Sequence, residues 1–380
     1  MINYIPENVL VLNEPVVANS IVTGNILKKL ENLNIPVSYL SHDEIADYTN
    51  MVLNRENPFR EGKKTLLITK NPGEFLKKCP GTNDYICCNY YVIDFAQNCP
   101  MDCTYCILQA YLNNPLMIVY ANINDLFNEL SERIEKELKP AGSQSMRIGT
   151  GEFTDSMALE HLTGYSELLI DFFEKYPDVL IEFKSKTDYI ETFLKCKTVP
   201  GNVLLSWSMN AQNVNRDEEH KSASIVERLV SAKKCADMGY KITLHFDPII
   251  DYENFDSEMA ETVNLIFSYL RPASIKYISL GCFRYIPKLK EIVAERFPKS
   301  KIVYNEFVKG YDGKSRYFRY KRERLFSKII SLIKKYDVNN EIELYFCMES
   351  PEMWKKLLNR PPDCDEKLGS CLYFKCFNKR

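Results

Sequence analysis

Between Cys88 and about Arg284 the chain alternates short apolar runs with longer amphipathic ones, and this alternation constrains the fold more than any other feature. The short runs lie at 89–96, 146–151, 179–183, 203–208, 240–246 and 276–281. The segments at 124–138, 157–175, 187–195, 222–238 and 255–270 repeat apolar residues at helical spacing. Six strand–helix units in series predict a parallel sheet curved into a full or partial barrel, because each crossover returns the chain to the same edge in the same direction. In such folds functional groups gather just past the C-terminal ends of the strands. Those ends read Gly149-Thr150-Gly151-Glu152, Lys184-Ser185-Lys186, Ser208-Met209-Asn210, His245-Phe246-Asp247 and Gly281-Cys282-Phe283-Arg284.

Residues 1–85 read as a small α/β unit, with strand-like runs at 9–12, 37–40 and 65–69 and a helical run at 20–33. Residues 86–285 hold the barrel, and 286–380 form a C-terminal extension. From 309 to 335 the extension is dense in Lys and Arg with interleaved aromatics, including Arg316, Arg319 and Arg322. Such a stretch suits phosphates and stacked bases. The plainer reading is a solvated amphipathic helix, since Leu325, Ile329 and Leu332 follow at helical spacing. Gly313-Lys314-Ser315 is not a phosphate loop, because Val308 stands where the first glycine is required.

Composition narrows the setting. A net charge of −2 gives no global attraction to nucleic acid, so any such contact is local. No apolar run reaches membrane-spanning length and no export signal opens the chain. The 13 cysteines, an odd number scattered over 380 residues, argue for a reducing compartment, so a cytoplasmic protein with no membrane partner is expected.

Three of those cysteines carry the chemistry. Cys99, Cys103 and Cys106 stand at C-x3-C-x2-C on one tight loop, after a strand-like run and before Leu108-Gln109-Ala110-Tyr111, which reads as helix. A [4Fe-4S] cluster normally takes four cysteines, so three leave one iron open to another ligand. Zinc sites normally pair C-x2-C with a second pair or with histidines, and the nearest histidines, His42 and His161, lie more than fifty residues away. Cys79, Cys87 and Cys88 read as ordinary buried thiols. Cys347, Cys364, Cys371 and Cys376 are a weaker candidate set for a second cluster or metal.

C-x3-C-x2-C with Tyr105 before its last cysteine resembles the signature of the radical S-adenosylmethionine enzymes. The resemblance implies a partial (β/α)6 barrel in which Cys99, Cys103 and Cys106 hold the cluster. S-adenosylmethionine would chelate the open iron and be cleaved to a 5′-deoxyadenosyl radical. Gly149-Thr150-Gly151-Glu152 is similar to that family's cofactor-binding element, so Gly151 and Glu152 are expected at the cofactor's amino end. The order of elements over nearly the whole chain resembles the spore photoproduct lyases, which repair a thymine cross-link in DNA. The likeness runs through Glu160-His161-Leu162-Thr163, Ser185-Lys186, Ser208-Met209-Asn210, Phe283-Arg284 and Gly313-Lys314. It implies that Tyr105, Lys186 and Ser208 line the cofactor site, with Asn210 beside them, and that DNA docks on 309–335. A reductant such as flavodoxin or ferredoxin would supply the electron.

The resemblance breaks at two positions. The lyases return a hydrogen atom from a cysteine whose place, counted back from His161, falls at Glu152 or its neighbours, and no cysteine occurs between Cys106 and Cys196. Ile107 stands where the lyases carry a tyrosine. Another thiol must serve, and Cys282, at the end of the sixth strand, is the expected donor. Two other functions fit the same residues. One is the same radical chemistry on a peptide or small metabolite. The other is a non-catalytic iron–sulfur or zinc protein that binds nucleic acid.

Overall fold

The structure is a computed structural model that describes residues 4–79, 81, 85–138, 146–359 and 365–377. Its centre is a curled sheet of seven parallel strands. They pair side by side in chain order: Tyr91–Ile93, Met146–Gly149, Val179–Ser185, Val203–Ser208, Lys241–Ile249, Ile275–Cys282 and Glu343–Phe346. The first six are the strands expected from the alternation. The seventh comes from the tail, and an antiparallel strand, Leu76–Lys78, closes the other edge. The architecture is a partial barrel.

Strand alternation sorts the side chains of this sheet. In the third to fifth strands Ile181, Phe183, Leu205, Trp207, Leu244 and Phe246 are buried apolar residues of the core. The intervening Glu182, Ser206, Thr243 and His245 bond to one another, so they share the opposite, inner face. Glu182 accepts from Tyr90 Oη at 2.6 Å, His245 Nε2 at 2.8 Å and Thr243 Oγ1 at 3.0 Å. Around Glu182 the barrel interior is therefore a hydrogen-bonded polar network rather than an apolar plug.

Helix ends follow local chemistry. The helix Ile225–Met238 starts on a capping box of Ser224 with Glu227 and stops at Gly239, whose φ is 105°. The run expected as one helix over 157–175 splits into Glu160–Thr163 and Tyr165–Phe173, because Gly164 between them takes φ 67°. A helix over His42–Leu53, capped by Ser41 and Glu44, was not expected from apolar periodicity although its capping box was legible.

The first 85 residues do not complete their own sheet. Val37–Leu40, Asn8–Leu12 and Thr65–Thr69 lie parallel, and Met117–Tyr120 joins them from beyond that segment, followed by antiparallel Ala96–Gln97. The last strand runs straight into Cys99, so this sheet anchors the cysteine loop. In the tail, Arg284–Tyr285, Ser315–Tyr317 and Phe307–Lys309 form a small antiparallel sheet ahead of the helix Arg319–Tyr336. Among the described residues no helix is long and apolar enough to cross a membrane.

Candidate active site

The cysteine loop is held by three segments remote in sequence. Asn98, with φ 69°, turns the chain out of its strand, and its amide donates to Pro115 O at 2.9 Å. Asp102 is gripped by Lys63 at 3.0 Å and Arg296 at 2.9 Å, and Lys63 also donates to Met101 O at 2.5 Å. Asp102–Cys103 pairs with Glu219–His220 as a two-residue antiparallel ladder. Thr104 N donates to Glu218 O at 2.9 Å. Gln109 Nε2 donates to the carbonyls of Cys103, Thr104 and Cys106 at 3.1, 3.2 and 3.3 Å. These bonds satisfy the loop backbone from behind and leave its thiols to face a cavity.

Behind Tyr105 sits a buried ion pair. Tyr105 Oη donates to Glu219, and Glu219 pairs with Arg228 at 2.6 Å, both side chains fully buried. Burial opposes ionisation of Glu219, yet Arg228 and then Lys186 outweigh it and hold the carboxyl down at about 2. Arg228 is further satisfied by Ser208 O at 2.8 Å and Ala223 O at 3.0 Å. Sequence reasoning missed this pair. Its signal was a charged residue on the apolar face of Ile225–Met238.

The cavity, about 600 Å³, opens at the C-terminal ends of the barrel strands. Cys99, Cys103, Cys106, Tyr105, Gly151, Glu152, Lys186 and Ser208 all line it, so eight of the ten sequence-predicted residues meet in one place. Lys186 Nζ donates to Ser208 Oγ at 3.1 Å and lies 5.9 Å from the centre of the Tyr105 ring. Lys186 forms no ion pair among the described residues, whereas Lys184 is paired with Glu152, Lys77 with Asp94 at 2.6 Å and Arg284 with Asp247 at 3.2 Å. Lys78, at the same cavity, lies over the Tyr91 ring, so Lys186, beside Ser208 and the loop tyrosine, is the ammonium placed to meet an incoming carboxylate next to the thiols. Gly151 is required where it stands, because a Cβ there would lie 2.9 Å from Lys184 Cβ and 3.0 Å from its carbonyl oxygen.

The donor set fits an iron–sulfur cluster with a ligand beside it. Three sulfurs of one loop face a cavity within the usual size of ligand sites, about 300–1,000 Å³. Burial pushes the Cys99 thiol up to about 12 and raises Cys103 as well, so these sulfurs keep their protons until a cation replaces them. The hydroxyl of Thr154, a residue 4% exposed on the cavity wall, has no partner among the described residues. An unsatisfied buried hydroxyl on a cavity wall is a group shaped for a ligand.

Two predicted residues are placed elsewhere. Asn210 does not line the cavity; its amide donates to Glu219 Oε1 and Pro248 O, both at 3.2 Å, so it supports the pair behind Tyr105. Cys282 is 4% exposed and does not line the cavity either. A Cβ on Gly281 would meet the Asp247 carboxylate on the inner face, so strand alternation turns Cys282, one residue on, to the outer face. So placed, Cys282 does not present itself to the cavity. One thiol outside the loop does line the cavity: Cys79, read from the sequence as an ordinary buried cysteine.

The basic stretch is mostly spent within the protein. Arg316 pairs with Asp312 at 2.5 Å, Arg322 with Glu349 at 2.7 Å, Lys321 with Asp251 at 2.9 Å and Arg324 with Asp251 at 2.6 Å. Arg316 and Arg322 are buried. Lys309, Tyr311, Arg319 and Tyr320 face outward, and Lys314 lines the cavity. Of the tail cysteines, Cys371 is exposed, Cys376 is in the core and Cys364 lies outside the described residues. Among the described residues no three or more His, Cys, Asp and Glu, the loop cysteines included, gather around one point as a single metal ion would need; a cluster asks for less closeness, because each thiolate binds a different iron.

Comparison with known proteins agrees with this geometry. The family model described as spore photoproduct lyase matches residues 4–347. The spore photoproduct lyase of Clostridium acetobutylicum is 24% identical over 326 residues, covering 85% of this chain and 91% of that protein. That of Bacillus subtilis is 23% identical over 329 residues, covering 83% and 92%. Among solved structures, spore photoproduct lyase complexed with dinucleoside spore photoproduct superposes with a TM-score of 0.75 at 20% identity, covering 90% of this chain and 99% of that one. A mutant of the same enzyme with bound AdoMet and dinucleoside spore photoproduct gives 0.75 at 19% identity over the same shares. With three thiols turned into one cavity at the strand ends and a family match spanning most of its length, the chain belongs to the spore photoproduct lyase family.

Proposed function

We propose that this protein is a radical S-adenosylmethionine enzyme that repairs a thymine photolesion in DNA. The observation that carries this reading is the convergence of three loop thiols and the uncommitted Lys186 on one cavity. Cys99, Cys103 and Cys106 would hold a [4Fe-4S] cluster, which supplies the electron that breaks S-adenosylmethionine into methionine and a 5′-deoxyadenosyl radical. Lys186 binds the cofactor carboxylate, with Ser208 and Tyr105 fixing its ammonium. Glu152 receives the cofactor amino group by exchanging its bond to Lys184. Gly151 lets the cofactor approach the backbone.

The walls of the cavity keep water from the radical and hold the reacting carbon near it. The lesion must leave the duplex to enter, and its phosphates would be met by Lys78 and Lys314, both at the cavity. Lys309, Tyr311, Arg319 and Tyr320 extend that contact outward as charge and stacking surface. The electron would come from a flavodoxin or ferredoxin, and the setting is the cytoplasm.

The test is anaerobic reconstitution with iron and sulfide, followed by reduction in the presence of S-adenosylmethionine. Formation of 5′-deoxyadenosine supports the cofactor chemistry, and conversion of dinucleoside spore photoproduct to two thymidines supports the substrate. Deoxyadenosine without conversion of the dinucleoside or of irradiated DNA would leave a radical enzyme of another substrate, a peptide or small metabolite. Sulfide-bridged iron that never cleaves the cofactor would sink the enzyme reading altogether.

A further inference from the structure

We propose that Cys79 returns the hydrogen atom to the substrate radical and that Cys347 then closes onto it as a resolving thiol. The proposal rests on the radical repair reading above. Cys79 is placed by the edge of the sheet: its backbone N–H donates to Tyr90 O at 2.7 Å, continuing the hairpin of Leu76–Lys78 with Tyr91–Ile93. It lines the 600 Å³ cavity together with Glu152, Lys184 and the unsatisfied Thr154 hydroxyl. It thus lines the same cavity as Glu152, at or next to which the usual donor's place falls in this chain.

Cys79 also lines a second, smaller cavity of about 170 Å³, whose wall includes Cys87, Cys88, Cys347 and Met348. Lys78, Cys79 and Met348 belong to both cavities, so the two share a wall. Arg284, which lines the larger cavity, donates to Cys347 Sγ at 3.4 Å. Cys87 and Cys88 share that wall, and Cys347 is chosen over them because it is bonded to a side chain of the reaction chamber. Gathering thiols beside a radical site has a chemical use: one reacts and another restores it.

The steps balance. The Cys79 S–H bond breaks, a C–H bond forms on the substrate radical, and a thiyl radical remains on Cys79. Its sulfur bonds to Cys347 Sγ, releasing the Cys347 proton to water and one electron. That electron returns to the oxidised form of the flavodoxin- or ferredoxin-class protein that began the turnover. Over the cycle S-adenosylmethionine is reduced by two electrons to methionine and 5′-deoxyadenosine, two thiols are oxidised to one disulfide, and an external dithiol reopens it. One cofactor is consumed per lesion.

Two experiments test this. In metal-free protein, diamide oxidation followed by peptide mass mapping should give a Cys79–Cys347 disulfide as the main cross-link; its absence would remove Cys347 from the scheme. In reconstituted enzyme working in D2O on dinucleoside spore photoproduct, the repaired product should carry one deuterium. Cys79→Ala should lower that product more than tenfold while 5′-deoxyadenosine still forms, and Cys347→Ala should stop after about one turnover. Cys282→Ala should match the parent. Deuterated product from Cys79→Ala at the parental rate would overturn the assignment. No deoxyadenosine from the parent would instead overturn the radical reading beneath it. Iron content equal to the parent's excludes misfolding of the variants as the cause.

Discussion

Replacing Glu219 by Gln tests how the cysteine loop is held. The carboxylate is fully buried, accepts from Tyr105, Asn210 and Asn215, and pairs with an equally buried Arg228. Its carboxyl is held at about 2 against an ordinary 4.5, because Arg228 and Lys186 outweigh the burial that opposes its charge. At about 1.4 kcal/mol per pH unit, that difference is worth about 3 kcal/mol. The amount sits at the lower end of the cost of breaking a buried pair, about 3–5 kcal/mol. The lower end is reasonable, because Arg228 keeps Ser208 O, Ala223 O and Ser222 Oγ. The sign follows from the lowered folded value. The stabilisation is complete above pH 4.5 and is lost as pH falls towards 2. Urea unfolding of Glu219→Gln at pH 7 should therefore show a loss of about 3 kcal/mol. The gap to the parent should close as pH falls from 4.5 to 2. Since the Glu219 carboxylate also holds Tyr105, the neighbour of Cys106 in the loop, reconstituted variant should retain less iron. A loss below about 1 kcal/mol at pH 7, or a gap that does not change on acidification, would refute this account.

Other consequences are as direct. Lys186→Met should weaken S-adenosylmethionine binding more than tenfold by equilibrium titration while iron content stays at the parental level, because Lys186 touches Ser208 and the Tyr105 ring but no carboxylate. Gly149→Ala should cost about 1–3 kcal/mol in thermal or urea unfolding, since the added Cβ would overlap the Tyr90 hydroxyl and break its bond to Glu182. Joint replacement of Lys309 by Gln and Tyr311 by Ala should weaken DNA binding, with a salt dependence shallower by about 1 in log–log slope. Arg316→Met should instead lower stability, because Arg316 is 3% exposed and committed to Asp312; the converse pattern in the binding and unfolding assays would reverse these roles.

What the chain states locally is its repeat and its chemistry. Apolar runs such as Val203–Ser208 show their strands because side chains alternate across a sheet whatever surrounds it. The spacing of Cys99, Cys103 and Cys106 shows a sulfur site because a loop that short turns its thiols together. Lys186 and Ser208 were legible as groups at strand ends, and the charge of Arg228 on the buried face of its helix was there to be read. What holds the loop could not be seen that way: Asp102 and Arg296 are 194 residues apart, and Thr104 and Glu218 are 114 apart. Side-chain bonds of that reach exist only after the sheets have packed. The same holds for the two thiols exchanged in importance. Cys282 and Cys79 look alike in sequence, and only strand alternation and the hairpin edge decide that one faces the outer layer while the other reaches the chamber. Spacing along the chain selects the chemistry, whereas the direction of each side chain in the packed sheet selects which residues take part.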